Sequence, residues 1–174
     1  MGSAKIDFAN LDLKDTLDLA ILIEEEAKDR YAEFVDQMEI HRTPEAAQFF
    51  HMMVDNEAKH EAALTASRAS LFQGAPRHVS RAEIWDIEAP EYDQTRAFMS
   101  ARQAMGVALQ CEIKAYDFYA AALPHARDNE VRKLFLRLRD EELAHQEMVR
   151  KEIAKLPPDP GIDPEAFADE PTAQ

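Results

Sequence analysis

The sequence predicts an all-α protein, an antiparallel four-helix bundle with one long connection between the second and third helices. Apolar residues recur at steps of three and four along four long segments, which is the period of one helix face. Only four glycines are present, and the nine prolines leave the interiors of these segments free of helix breakers. With 174 residues, 46% of them hydrophobic, the chain is long enough for one domain with a substantial core.

The first two helices are predicted over residues 13–41 and 44–72, after an N-terminal extension over residues 1–12. Thr43 supplies an N-cap for the second helix, and Pro44 is a favoured first helical residue. The second helix therefore follows a tight turn and runs antiparallel to the first.

A crossover is predicted over residues 73–93, because the apolar period fails between Gly74 and Pro90. This connection is longer than the usual link between helices, and it can carry the chain along the full bundle. We therefore expect the third helix to begin at the same end of the bundle as the first.

The third and fourth helices are predicted over residues 94–123 and 128–155. Pro124 ends the third helix, and Asp128 is a good N-cap for the fourth. The remaining residues, 156–174, are predicted to form a flexible acidic tail.

The composition excludes several classes of function. A net charge of −14 repels phosphate backbones, so nucleic acid is not an expected partner, and no nucleotide-binding site is predicted. No apolar run approaches the roughly 20 residues of a membrane span, and the start lacks the order of a signal peptide, so we expect a cytoplasmic protein. Because Cys111 is the single cysteine, any metal must be held by oxygen and nitrogen.

Acids and histidines interrupt the apolar faces of all four predicted helices. On the first and third helices, one glutamate lies seven residues before a tyrosine, Tyr31 or Tyr119. The second and fourth helices each carry a Glu-x-x-His pair on the apolar line. The residues predicted to point inward and converge are Glu24, Glu57, His60, Glu112, Glu142 and His145.

An internal repeat relates the two halves of the chain. An offset of 88 residues relates Glu24 to Glu112 and also relates the two tyrosines that follow them. An offset of 85 residues relates Glu57 to Glu142 and also relates the two histidines that follow them. The repeat favours Glu24 over its acidic neighbours, and it favours Glu142 over Glu141.

This spacing is typical of a dinuclear metal site. A Glu-x-x-His pair puts a carboxylate and an imidazole on one helix face, and two pairs plus two further glutamates form the carboxylate site known in four-helix bundles. Four carboxylates balance the charge of two divalent cations, and their burial without cations or pairing would be costly. Oxygen-rich ligation suits iron or manganese. We predict two iron ions per site, with manganese as an alternative.

Two other interpretations of these residues remain open. The inward acids could instead lie at interface edges and pair with lysine or arginine, in a bundle without metal. Tyr31 and Tyr119 could donate hydrogen bonds to the ligand carboxylates, act as redox-active phenols, or serve only as core residues.

These motifs resemble the rubrerythrin branch of the ferritin-like superfamily over about residues 13–155. The sequence is most similar to the rubrerythrin-type domain that some proteins carry fused to a vacuolar-iron-transporter-like membrane region. Neither that region nor a rubredoxin domain is present in these 174 residues. The resemblance implies a ferritin-like bundle, a di-iron centre held by the six residues, and a homodimer or higher homo-oligomer.

The resemblance also implies that ferrous iron reacts at this centre with oxygen or hydrogen peroxide, with the metal ligands themselves as the catalytic residues. Rubrerythrins proper carry a further glutamate one turn after the third-helix ligand, where this chain has Ala115. Ferroxidase or iron-handling activity that protects against oxidative stress is therefore expected ahead of a peroxidase with an external reductant. A dimanganese catalase and a non-catalytic iron-binding or delivery protein are the further alternatives.

Overall fold

The computed structural model describes residues 6–81, 84, 87 and 99–158. Within these residues there are four α-helices and no strands, which confirms the predicted all-α bundle. In chain order they form two hairpins, because α1 packs along α2 and α3 packs along α4. The helices are α1 (Leu13–Ile40), α2 (Pro44–Phe72), α3 (Ala101–Ala122) and α4 (Asn129–Lys155).

A side-chain cap is present at the start of α4 but not at the start of α2. The Asp128 carboxylate accepts hydrogen bonds from the backbone N–H groups of Glu130 and Val131, as an N-cap does. At the start of α2, the Thr43 hydroxyl donates to the backbone carbonyl of Met38 over 3.1 Å and makes no cap bond. The predicted N-cap role of the Thr43 side chain was therefore wrong. The predicted helix start at residue 44 agrees with the structure.

The third helix begins later than the prediction of residue 94. Ser100 and Gln103 form a capping box, in which each side chain accepts from the backbone N–H of the other residue, so α3 starts at Ala101. Residues 94–98 lie outside the described residues, as do residues 82, 83, 85, 86 and 88–93 of the predicted crossover and the tail from residue 159. None of the helices described is long and apolar enough to cross a membrane.

The start of α3 lies at the opposite end of the bundle from the start of α1. Met99 belongs to the same hydrophobic cluster as Met38 and Ala46, which lie at the end of α1 and the start of α2. Arg102 donates to the backbone carbonyl of Ile153 at the end of α4. The expected placement of α3 was wrong, because α2 already ends beside the start of α1 and a connection along the full bundle leads to the far end.

The core consists of two hydrophobic clusters with a polar layer between them. The first cluster lies at the end where α1 begins and includes Leu17 and Phe135. The second lies at the other end and includes Phe34 and Phe50. The residues that border the layer are Ile23, Leu64, Ala115 and Leu138 in the first cluster and Ala27, Met53, Ala108 and Val149 in the second.

A buried ion pair joins α1 to the end of α2 at the first cluster. Arg68 donates through Nε and Nη2 to the carboxylate of Asp18, which is completely buried. The same guanidinium donates to the backbone carbonyls of Gln73 and Ala75, over 3.2 and 2.6 Å. The pair thus holds the start of the connection that leaves α2. The sequence analysis missed this pair, and an acid within the apolar run around Leu17 was the available signal.

Candidate metal centre

The six residues predicted to converge lie together in the polar layer, in two groups of three. One group comes from the α1–α2 hairpin and the other from the α3–α4 hairpin. In each group, three side-chain atoms of the kind that bind metals lie within 4.8 Å of one another. The groups are Glu24, Glu57 and His60, and Glu112, Glu142 and His145.

The first group has two carboxylates around one imidazole. His60 Nδ1 lies 3.7 Å from an oxygen of Glu24 and 3.5 Å from an oxygen of Glu57. Both carboxylates are buried, whereas 30% of the His60 side chain is exposed. The three-residue spacing of Glu57 and His60 puts both on the face of α2 that meets α1 in this layer.

The second group repeats this arrangement. His145 Nδ1 lies 3.1 Å from an oxygen of Glu112 and 3.6 Å from an oxygen of Glu142. The His145 side chain is 16% exposed, less than that of His60. The two groups meet through their imidazoles, whose rings stack with centroids 4.7 Å apart and planes 5° from parallel.

Burial and crowding shift the pKa values of two carboxyl groups. Burial raises the pKa of Glu24 from 4.5 to about 8, and the nearby Glu57 and Glu142 carboxylates add to the increase, while the His60 contact opposes it. Burial also raises the pKa of Glu112 well above 4.5. Without metal, both carboxyl groups therefore hold a proton to higher pH than an ordinary glutamate does.

The imidazoles also hold protons in the absence of metal. The Glu24 and Glu57 carboxylates beside His60 raise its pKa from 6.5 to about 10. Burial lowers the pKa of His145, but the Glu112 and Glu142 carboxylates outweigh burial and raise it to about 11. Protons thus offset the charge of the buried acids at neutral pH, as cations would if they replaced those protons.

The donor set fits cations better than it fits a closed hydrogen-bond network. Several buried carboxylate oxygens of the layer have no hydrogen bond to any described residue, although such groups are normally paired. Two divalent cations would balance four carboxylates and use these oxygens, and oxygen-rich ligation favours iron or manganese. The oxygens are Glu24 Oε2, both of Glu57, Glu112 Oε1 and Glu142 Oε2.

Comparisons with known proteins agree with this architecture. Residues 15–153 match the family model described as rubrerythrin. The chain belongs to the rubrerythrin family. An uncharacterized conserved protein from Magnetospirillum magnetotacticum MS-1 has a crystal structure similar to this one, with a TM-score of 0.67 and 28% sequence identity. The alignment covers 88% of this chain and 100% of that one. The curated proteins contain no significant match.

The chain has one tyrosine on each side of the polar layer. Tyr119 lies in the first hydrophobic cluster, and Tyr31 lies in the second. Both side chains are completely buried. Their positions follow the 88-residue repeat, so the two tyrosines flank the layer from opposite ends of the bundle.

Two polar contacts beside the layer escaped the sequence analysis. Lys28 forms an ion pair with Glu61 across the seam between α1 and α2. Gln146 Nε2 donates to the backbone carbonyl of Glu112 over 3.1 Å, across the seam between α3 and α4. The 85-residue repeat makes Gln146 the counterpart of Glu61, so the two seams are closed at equivalent positions by different chemistry.

Proposed function

We propose that this protein binds two ferrous ions in the polar layer and oxidises them with oxygen or hydrogen peroxide. The single observation that carries the proposal is the set of buried carboxylate oxygens without hydrogen bonds, which lie around two imidazoles. Membership of the rubrerythrin family supports iron as the metal. The Ala115 position supports iron oxidation ahead of peroxidase turnover, since no further carboxylate is available there.

In this proposal, each hairpin would hold one ferrous ion through its histidine and its two glutamates. Ferrous iron is the substrate and supplies the electrons. Hydrogen peroxide takes one electron from each of two ferrous ions and two protons from solution, and it leaves as two water molecules. The carboxylates favour the ferric products, because their negative charge stabilises the higher cationic charge.

The protein must lose its own protons before it binds the ions. The protons on Glu24 and on the two imidazoles occupy lone pairs that cations need. Ferrous binding therefore replaces bound protons with metal. This exchange limits the change in buried charge when the site accepts two dications.

Anaerobic ferrous loading tests the proposal directly. We expect about two ions per chain after loosely bound iron is removed, followed by rapid oxidation when oxygen or peroxide is mixed in. Glu57→Gln keeps the shape of a completely buried ligand while it removes the charge, and it should abolish binding of the pair and rapid oxidation. Glu45→Gln, on the exposed first turn of α2, is the matched control and should change neither.

The same experiment separates the alternatives. Tight ferrous binding without rapid oxidation would indicate an iron-binding or delivery protein. Manganese binding in preference to iron would indicate a dimanganese enzyme, since the same ligands serve that metal. Unchanged oxidation by Glu57→Gln would contradict the proposed site itself.

A further inference from the structure

Among the metal-binding side chains of the polar layer that the structure describes, the two imidazoles are the ones that reach solvent. Its four carboxylates are each at most 2% exposed. The exposed side chains of the layer are His60 at 30% and His145 at 16%, and these two rings stack on each other between α2 and α4. An ion that approaches the buried carboxylates therefore meets solvent-exposed imidazole first at this seam.

Described side chains block the approaches along the bundle axis and through the seam of each hairpin. Along the bundle axis, the first and second hydrophobic clusters lie below and above the layer. The Lys28–Glu61 ion pair spans the seam between α1 and α2. The hydrogen bond from the Gln146 side chain to the Glu112 backbone carbonyl spans the seam between α3 and α4. A hydrated cation would have to break these contacts or cross apolar side chains to enter by these routes.

The seam between α2 and α4 has a carboxylate beside its mouth. Glu141 precedes His145 by four residues, so it lies one turn away on the same side of α4. The Glu141 side chain is 46% exposed, with Arg137 Nε 3.7 Å away.

We propose that metal ions reach the layer through the seam between α2 and α4, and that the Glu141 carboxylate binds them first. This inference rests on the proposed function and adds the route of uptake. Glu141 would act by raising the local cation concentration beside the two imidazoles, which affects the rate of binding more than the final occupancy. The final ligands stay those of the buried layer.

Glu147 provides a matched control on the same helix. It lies two residues after His145, so it points to a different side of α4. Its side chain is 62% exposed and forms an i,i+4 ion pair of 3.9 Å with Lys151, much as Glu141 does with Arg137. Glu141→Gln and Glu147→Gln therefore remove the same charge from similar exposed pairs at different distances from the seam.

The test measures cobalt(II) binding by stopped-flow absorbance at low ionic strength, with the full chain and no oxidation step. We expect the Glu141→Gln variant to bind cobalt about three- to tenfold more slowly than wild type, with the same final number of ions per chain. The Glu147→Gln variant should bind at the wild-type rate. The difference between the two variants should shrink at high salt, because screening weakens attraction outside the buried layer.

Three outcomes would overturn the inference, and they can be told apart. Equal binding rates for the two variants, with a wild-type chain that takes up its two ions, would overturn the uptake route and leave the proposed function intact. A wild-type chain that binds no cobalt and no ferrous iron would overturn the proposed function and the route together. A lower final occupancy in Glu141→Gln would also contradict the inference, since it would make Glu141 a ligand of the bound state.

Discussion

His60 and His145 stack ring on ring at a centroid distance of 4.7 Å, although 85 residues separate them in the chain. Each ring also turns Nδ1 toward the carboxylates of its own hairpin. The stack therefore joins two similar half-sites into one polar layer. Two positively charged rings at this distance would repel each other, so the contact depends on the four surrounding carboxylates.

The stability of the metal-free protein should fall as pH rises. Glu24 and His60 have pKa values of about 8 and 10 in the folded chain, against 4.5 and 6.5 ordinarily. The folded state thus binds these protons more tightly, and their stabilisation is complete below the ordinary pKa values and is lost as pH rises through the raised ones. Thermal unfolding of the metal-free chain at pH 6, 7, 8 and 9 should give a progressively lower Tm.

A variant isolates the contribution of the layer to this pH dependence. Glu24→Gln removes one group with a raised pKa and one carboxylate beside His60, so its Tm should depend less on pH than that of wild type. A wild-type Tm that increases across the same range would contradict the prediction. With metal bound, Tm should instead rise with pH, because cations compete with protons less well at low pH.

Metal binding at pH 7 should release protons into solution. Three groups of the layer, Glu24, His60 and His145, have raised pKa values of about 8, 10 and 11 and so hold protons at this pH. Loading with two cobalt ions should release up to three protons per chain from these three groups. Calorimetry in buffers of different ionisation enthalpy measures the number, and release of no protons would show that cations bind elsewhere.

The 3.6-residue period and the internal repeat were sufficient to predict the helices and the six converging residues. Glu24 has acidic neighbours at positions 25 and 26, and only the repeat with Glu112 selects it. Its burial at 2% agrees with that choice. Likewise Glu142 is buried, whereas its neighbour Glu141 is exposed. Local periodicity determines which side of a helix a residue occupies, so it predicts a site built from helix faces.

Features that depend on tertiary pairing could not be predicted from the same signals. The Asp18–Arg68 pair joins residues 50 positions apart, and no periodicity specifies which cation approaches a buried acid. The start of α3 depends on the capping box at Ser100, which competes with an apolar period that extends further toward the N-terminus. The direction of α3 depends on where a long connection ends, and sequence spacing alone gives only its length.

Loss of the Arg68 guanidinium should destabilise the fold more than loss of an exposed arginine. Arg68→Met leaves the completely buried Asp18 carboxylate without its main partner and frees two backbone carbonyls of the connection. Arg81→Met is the matched control, since Arg81 pairs with the half-exposed Asp29 at 2.7 Å. In urea unfolding, the decrease in midpoint relative to wild type should be several times larger for Arg68→Met than for Arg81→Met. Equal midpoints for the two variants would contradict the role of this pair.

Arg102 should stabilise the end of α4 from the neighbouring helix. Its guanidinium donates to the backbone carbonyls of Ile153, Leu156 and Pro157 at 2.9, 2.6 and 2.8 Å, and helix ends otherwise leave such acceptors unpaired. Arg102→Met should lower the free energy of unfolding by about 1–3 kcal/mol.

Lys155→Met is the control. It removes an exposed charge from the same turn and should lower the free energy of unfolding much less, because the Lys155 side chain pairs only with Glu152 among the described residues. Chemical denaturation of both variants tests this, and faster amide hydrogen exchange confined to the last turn of α4 in Arg102→Met would show that the lost bonds act where they lie.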